Sequence, residues 1–451
     1  MFRQFSITLC VLCLLASTSQ FLSPTAAVAA TATWAGGGGD NNWTTVQNWN
    51  GNVAPLNDGT ADILFAGSTR LTPNVDLPWT VNSLTFGSSA GAFTLGGGPL
   101  TIQAGGVTRQ GTSSNRHSLA GQVALGADQT WDTGNGYINL GSSGSLNTNG
   151  HTLTVTGQGM QFLGAVTGSG SVVISTTGYV CLWGTNSFSG GVVLNSGTLD
   201  ITSDQGLGAS SSPITLNGGV LFDQGGPTTI NRDITLGPAG SQISAAYSQW
   251  QTMTISGNIH GPGCLKVTGG GGDTFLKLTG HNTYTGGNDV DRFTLLGTTD
   301  SIQGNVLLRS NYAQLEFQQD VNGVFNGNIS GPGELLKFGS GVVTLTGNNT
   351  FSSDTQLYDG ALEVRAGTNN LSPNSRLVFE LGGTVGGVVQ FVGGTTFTRG
   401  NSVWNGAGGF SARDGKLTVN IGGNGAQFTI DPITPLIFGS SGNFGVGRSQ
   451  R

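Results

Sequence analysis

The densest local group of reactive side chains in this sequence is Asp289, Asp291 and Arg292, with Asp273 a short distance upstream. Carboxylates beside a cation are what cleavage of a polysaccharide requires: an acid, a base or nucleophile, and a charge to hold the sugar. Asp289 and Asp291 share a face if their segment is extended, because side chains alternate along a strand. The plainer reading of Asn288 to Phe293 is a solvated irregular turn. The four histidines, His117, His151, His260 and His281, stand singly with no zinc-site spacing and read as turn or surface residues. Gly36 to Gly39 before Asp40 has neither the Lys-Ser/Thr of a phosphate loop nor the alternating Gly and Asp of a calcium-binding nonapeptide, so it reads as a turn. No catalytic, cofactor-binding or metal-binding residue is therefore assigned, and no cofactor. Trp34, Trp43 and Trp49 form the other notable cluster. Exposed, they would stack on sugar rings; packed, they would cover the first layer of a repetitive fold, which is the favoured reading. Trp79, Trp131, Trp183, Trp250 and Trp404 are dispersed and read as packing within single layers.

Composition says what kind of scaffold must hold these residues. Glycine makes up 79 of 451 residues, more than twice the usual ~7%. Such a density opposes long helices, and the absence of a three-residue glycine period, with only 13 prolines, excludes collagen. Charged residues are 9% against 36% apolar, which is the reverse of a disordered chain. A net charge of -6 with few lysines argues against nucleic acid as a partner. At the N-terminus, Arg3 is followed by the apolar run Phe5 to Ala16 and then Ala27-Val28-Ala29, the pattern of a secretory signal. That run is too short to span a bilayer as a helix, and no later segment is apolar enough, so no transmembrane segment is expected in the mature chain. Cleavage near residue 30 leaves Cys181 and Cys264, which do not make a disulfide scaffold and read as small buried residues.

Short alternating runs dominate the remainder. Thr152 to Thr156, Val343 to Thr346 and Lys416 to Ile421 each place an apolar residue at every second position, as strands with one buried face do. Internal repeats then choose between a sandwich and a solenoid. Residues 168–201 align without a gap on 331–364, with identity at twelve of 34 positions, and a related copy occupies 261–297 with three extra residues in its first turn. Leu335, Val343, Leu345, Leu357 and Leu362 are spaced to point inward, and Gly341, Gly347 and Gly360 to turn the chain. Asn186 and Phe188, Asn282 and Tyr284, and Asn349 and Phe351 recur as a turn amide followed by a corner aromatic. Coils of about 22 residues would give roughly 18 coils and a rod of 85 to 90 Å. Leu345→Asp should then be severe, and Thr344→Asp, one residue away on the outer face, nearly silent.

The motif G-[PS]-G-x-[LV] with a nearby Lys, then L-T-G-x-N-T-[YF]-[ST] and a later G-x-L-x-[VI], is carried by Gly261-Pro262-Gly263, Leu265, Lys266, Leu278 to Gly280 and Asn282 to Gly287, and again by Gly331 to Phe351. It resembles the autotransporter-associated β-strand repeat, also called the passenger-associated transport repeat, of secreted bacterial surface proteins. The resemblance implies an exported β-helical stalk with no enzymatic activity attached to the repeat. The segments Thr33 to Pro55 and Gly409 to Gly423 resemble other parts of such proteins. No barrel-forming series of strands is recognised after the repeats, so self-secretion through its own pore is not expected of this chain.

The resulting expectation is an all-β chain, a single elongated parallel, right-handed β-helix or β-solenoid. Its parts are a signal peptide (1–30), an N-terminal cap segment (31–60), the solenoid (61–438) and a polar tail (439–451). The last coil, about Phe428 to Phe438, is expected to be either frayed or an open template for end-to-end self-association. The expected role is that of a non-catalytic secreted or cell-surface structural or adhesion protein, with cell-envelope polysaccharide or another surface protein as partner. The alternative is a carbohydrate-active β-helix, a lyase or hydrolase, or a glycan-binding protein.

Overall fold

Alternation of apolar and polar residues over runs of three to eleven, broken by glycine, leaves each strand one face to bury. In this chain it is buried against the next turn of the same coil. A computed structural model describes residues 31–112, 114–245, 251–269, 274–365, 367–381, 386–400, 402–421 and 436–438. About 16 parallel coils stack into one elongated β-solenoid, and among the described residues only short 3-10 turns are helical. The count falls below the expected 18 because several coils are long. Thr31 pairs with Asp62, a first coil of 31 positions, and Ala361 pairs with Val388. At ~4.8 Å per strand spacing the stack is about 77 Å long. The proposed leader, the polar tail, Asp273, Trp250 and most of the proposed last coil lie outside the described residues.

Every ladder pairing is parallel. One sheet of nine strands runs from Thr229–Ile230 to Val403–Trp404, and one of six runs from Gly323–Phe325 to Leu436–Phe438. A sheet of 24 strands contains more than one ladder, because strands such as Leu100–Arg109 and Leu153–Phe162 pair different neighbours along their two halves. The interior is one continuous aliphatic and aromatic column that includes Leu335, Val343, Leu345, Leu357 and Leu362, all buried.

The repeated asparagines do more than turn the chain. In each copy the buried amide accepts a backbone N–H from the preceding coil and donates to a carbonyl of the following one. Asn186 joins the Val166 N–H (2.8 Å) to the Gly206 carbonyl (2.7 Å). Asn282 joins Ile259 (2.7 Å) to Ser301 (2.6 Å), and Asn349 joins Ile329 (2.8 Å) to Asn370 (2.5 Å). Phe188, Tyr284 and Phe351 are buried two residues further on. A buried polar group must find partners, and here coil stacking supplies both.

Glycine is required for two different reasons. Gly360 has φ +67, where a side chain would be strained. Gly347 does not adopt a positive φ; a Cβ there would stand 2.1 Å from the Gly327 carbonyl oxygen, so close stacking of coils excludes it. Thr344 also differs from expectation: its hydroxyl donates to Glu363 at 3.1 Å, so an aspartate there would face a buried carboxylate and would not be silent.

Candidate functional site

The expected acidic cluster forms differently from the turn envisaged. Asn288–Asp291 is a strand, with Asn288 and Val290 buried and Asp289 and Asp291 on the outer face. The turn begins only at Arg292, which has φ +52 and an exposed side chain. Pairing with the coils on both sides extends the segment: Asp289 sits in register between Lys266 and Leu307. Arg309 grips Asp289 through Nε and through Nη2 to Oδ2 at 2.5 Å, so this carboxylate is already neutralised by a guanidinium. The arrangement is an exposed ion pair on a ladder.

The histidines divide. His117 is wholly within the core, its ring stacked on Phe86 at 4.2 Å, so it is not a surface residue. Burial, aided by the nearby Arg109 charge, pulls it down to about 4, and it is neutral at physiological pH. His151 faces Asp128 at 3.6 Å, His260 meets the Thr235 hydroxyl at 2.8 Å, and His281 pairs with Asp300. Among the described residues no three His, Cys, Asp or Glu side chains gather as a metal site, and no helix is long and apolar enough to cross a membrane. Trp34, Trp43 and Trp49 are buried edge to face, with centroids 5.2 and 5.4 Å apart, so they offer no face to a sugar. Cys181 is buried and Cys264 half-buried, both free.

Two outer strips, neither foreseen from the sequence, carry the unusual chemistry. The first crosses the strands Tyr137–Leu140, Leu153–Phe162, Val172–Leu182 and Val192–Ile201. Register places Tyr137, Gly159 and Tyr179 in one column, and Asn139, Gln161, Cys181 and Asp200 in the parallel column two residues along. Leu163 and Trp183, each 37% exposed, follow the paired Phe162 and Leu182. The glycine leaves a gap between two tyrosines about 10 Å apart, two strand spacings. Arg116 lies 4.9 Å over the Tyr137 ring and donates to Gln161 Oε1 at 3.3 Å. Asp200 is 5% exposed; the Trp183 side chain hydrogen-bonds its carboxyl, Cys181 Sγ makes a long 3.9 Å contact with Oδ2, and Oδ1 is buried without a close donor. Burial is the main cause that pushes this carboxyl up to about 6, and the charge of Asp223 adds to it. Asp223 alternates with Asp200 onto the opposite, inner face, so the two do not form a convergent acid pair. Burial likewise pushes the Cys181 thiol up to about 12, leaving it inert.

The second strip lies on the nine-stranded sheet, where Lys277, Leu296, Glu316, Leu336 and Gln356 form one outer column. Glu316 is 9% exposed between two leucines, and this burial pushes it up to about 7. Glu334, on the neighbouring strand, accepts from Gln314 (3.0 Å) and Gln356 (3.2 Å). Phe338 and Tyr358 stack beside them at 4.0 Å. On the inner side of the same strand Lys337 is completely buried, its ammonium donating to the carbonyls of Phe338 (2.7 Å) and Gly339 (2.6 Å), and burial lowers it to about 8.

The first strip carried one readable signal: Tyr179, Cys181 and Trp183 share the outward parity of one strand, with Val180 and Leu182 inward. The second carried none, since Gln314–Gln318 alternates like any half-buried strand.

No protein-family profile matches the chain, and no solved structure matches it. Among curated proteins, the chain is 29% identical over 333 residues to a Brucella suis biovar 1 (strain 1330) protein named Adhesin BmaC autotransporter. The similarity covers 66% of this chain and 9% of that protein, so the chain spans less than a tenth of its relative.

Proposed function

We propose that this chain is a non-catalytic, exported β-solenoid that acts at the cell surface as an adhesive or spacing segment. The observation that carries the reading is the coincidence of a parallel solenoid with similarity, over two-thirds of the chain, to a relative named as an autotransporter adhesin. The three sequence copies are then autotransporter-associated β-strand repeats, residues 1–30 a cleaved leader, and residues 31–60 a cap whose buried tryptophans cover the first coil. Its partner is a cell-envelope polysaccharide or another surface protein, and its far end is a template for self-association. Antibody labelling of intact cells, N-terminal sequencing of the exported protein and attachment of protein-coated beads test this. Cytoplasmic retention, or beads that attach no better than albumin-coated ones, would overturn it.

One observation favours a second reading. Glu316, held near neutrality, lies on the same outer face as Glu334 of the adjacent strand, the kind of pair a glycosidase uses. New reducing or unsaturated ends from a polysaccharide panel, abolished by Glu316→Gln, would establish that reading and reject the non-catalytic one.

A further inference from the structure

The outer strip from Tyr137 to Asp200 combines three things that ordinary solenoid surface lacks. Its aromatic rings stand free: Tyr179 is 52% and Trp183 37% exposed, whereas Trp34, Trp43, Trp49 and Trp131 are buried. A polar row runs between them, and two of its acceptors, Asn139 Oδ1 and Asp200 Oδ1, are buried with no donor. Leaving such acceptors empty is costly, so a ligand rich in hydroxyl donors is the natural complement. Gly159 opens the column between the two tyrosines, and the row advances by one strand spacing of ~4.8 Å per coil, comparable to one pyranose unit of an extended glycan.

We propose that this strip is a binding groove for a neutral, extended oligosaccharide lying along the solenoid axis. Its C–H faces stack on Tyr179 and Trp183, and its hydroxyl groups donate to Asn139 and Asp200 once a small side-chain rotation brings their buried oxygens to the surface. An aromatic face offers a sugar ring apolar area without the entropy cost of a flexible side chain. The Asp200 carboxylate, which has no cation partner among the described residues, disfavours acidic sugars, while Gln161, already engaged by Arg116, is fixed in orientation. The assignment deepens the adhesive reading by naming the ligand class, and it rests on that reading only for its biological purpose.

The test uses the intact purified protein, titrated calorimetrically with cellohexaose, xylohexaose, chitohexaose and, as the acidic member, hexagalacturonate. At least one neutral hexasaccharide should bind. Tyr179→Ala, Trp183→Ala and Asp200→Ala should each weaken it about tenfold or more, while Tyr312→Ala, an exposed tyrosine elsewhere, leaves it unchanged. Thermal unfolding of each variant separates lost binding from lost fold. Trp183→Phe supplies a second readout, since it should keep binding but erase the ligand-induced fluorescence change. Absence of binding to all neutral probes, binding of hexagalacturonate alone, or affinity indifferent to these substitutions would overturn the groove. Because no cell enters the experiment, its failure leaves surface display and adhesion to be judged on their own assays.

Discussion

The two outer strips are the same piece of architecture with opposite contents. Each presents one carboxylate, Asp200 or Glu316, on the outward column of a parallel ladder, and each carboxylate is nearly inaccessible. Around Asp200 the column is polar and the neighbouring rings are exposed. Around Glu316 the column is leucine, and the neighbouring rings, Phe338 and Tyr358, are stacked on one another. The first strip has free faces and unfilled acceptors; the second has spent its aromatic surface on itself. Burial of an acid therefore does not identify a binding site on a solenoid. What distinguishes the two is whether the surrounding groups already have partners.

Substitutions can break or sharpen this contrast, beginning with the column that both strips share. Leu199→Asp and Leu315→Asp lie directly inside the two strips, and each should cost several kcal/mol in chemical denaturation by burying an unpaired charge. If one region tolerated it, the common interior would be disproved. Glu316→Gln should come next. A carboxyl held at about 7 against 4.5 binds its proton longer in the folded state, so stability falls as pH rises between those values. The variant should gain about 2–3 kcal/mol at pH 8 and nothing at pH 4. His117→Phe tests the opposite sign. Its imidazole is held at about 4 against 6.5, so the native protein loses stability as pH falls from 6.5 to 4, and the variant should retain about 2 kcal/mol more at pH 4. Asp200→Asn should gain about 1–2 kcal/mol at pH 8, less than Glu316→Gln because a hydrogen bond from the Trp183 side chain already stabilises the carboxylate. Its pH dependence should lie lower, between 3.8 and about 6. Coincident pH profiles for the two acids would dissolve the contrast. The smallest effect belongs to Arg309→Ala, on the coils that also carry the second strip: the exposed pair with Asp289 should add little stability, and that little should disappear in high salt.

The inward column was legible because a two-residue period states which residues face the core, and Leu335, Val343 and Leu345 obey it. The asparagine and aromatic pair was legible as a recurrence, though not as a bridge between coils, since its partners lie about twenty residues away on either side. The outer strips were largely illegible. Whether an outward residue is buried depends on the residues one coil above and below, and that register is set by turn lengths that vary from coil to coil. The lysines show how sharp this is: Lys266 and Lys337 stand one residue apart within their repeat copies, and the shift leaves Lys266 in water and Lys337 in the core. Trp183 was misjudged for the same reason, as packing within its coil.

The bridging asparagines also bear on how such a rod is made and pulled apart. At each of the three coils that carry one, the amide is fully bonded only when the coils before and after it are both in place. Folding of such a stack can begin at any coil and spread to its neighbours, and the bridges make the coils that carry them depend on both sides at once. Pulled from its end, the rod should yield in steps, with higher force wherever a coil bearing Asn186, Asn282 or Asn349 must leave. In an optical trap, Asn282→Leu should remove one of those steps; an unchanged trace would show that the bridges bear no load.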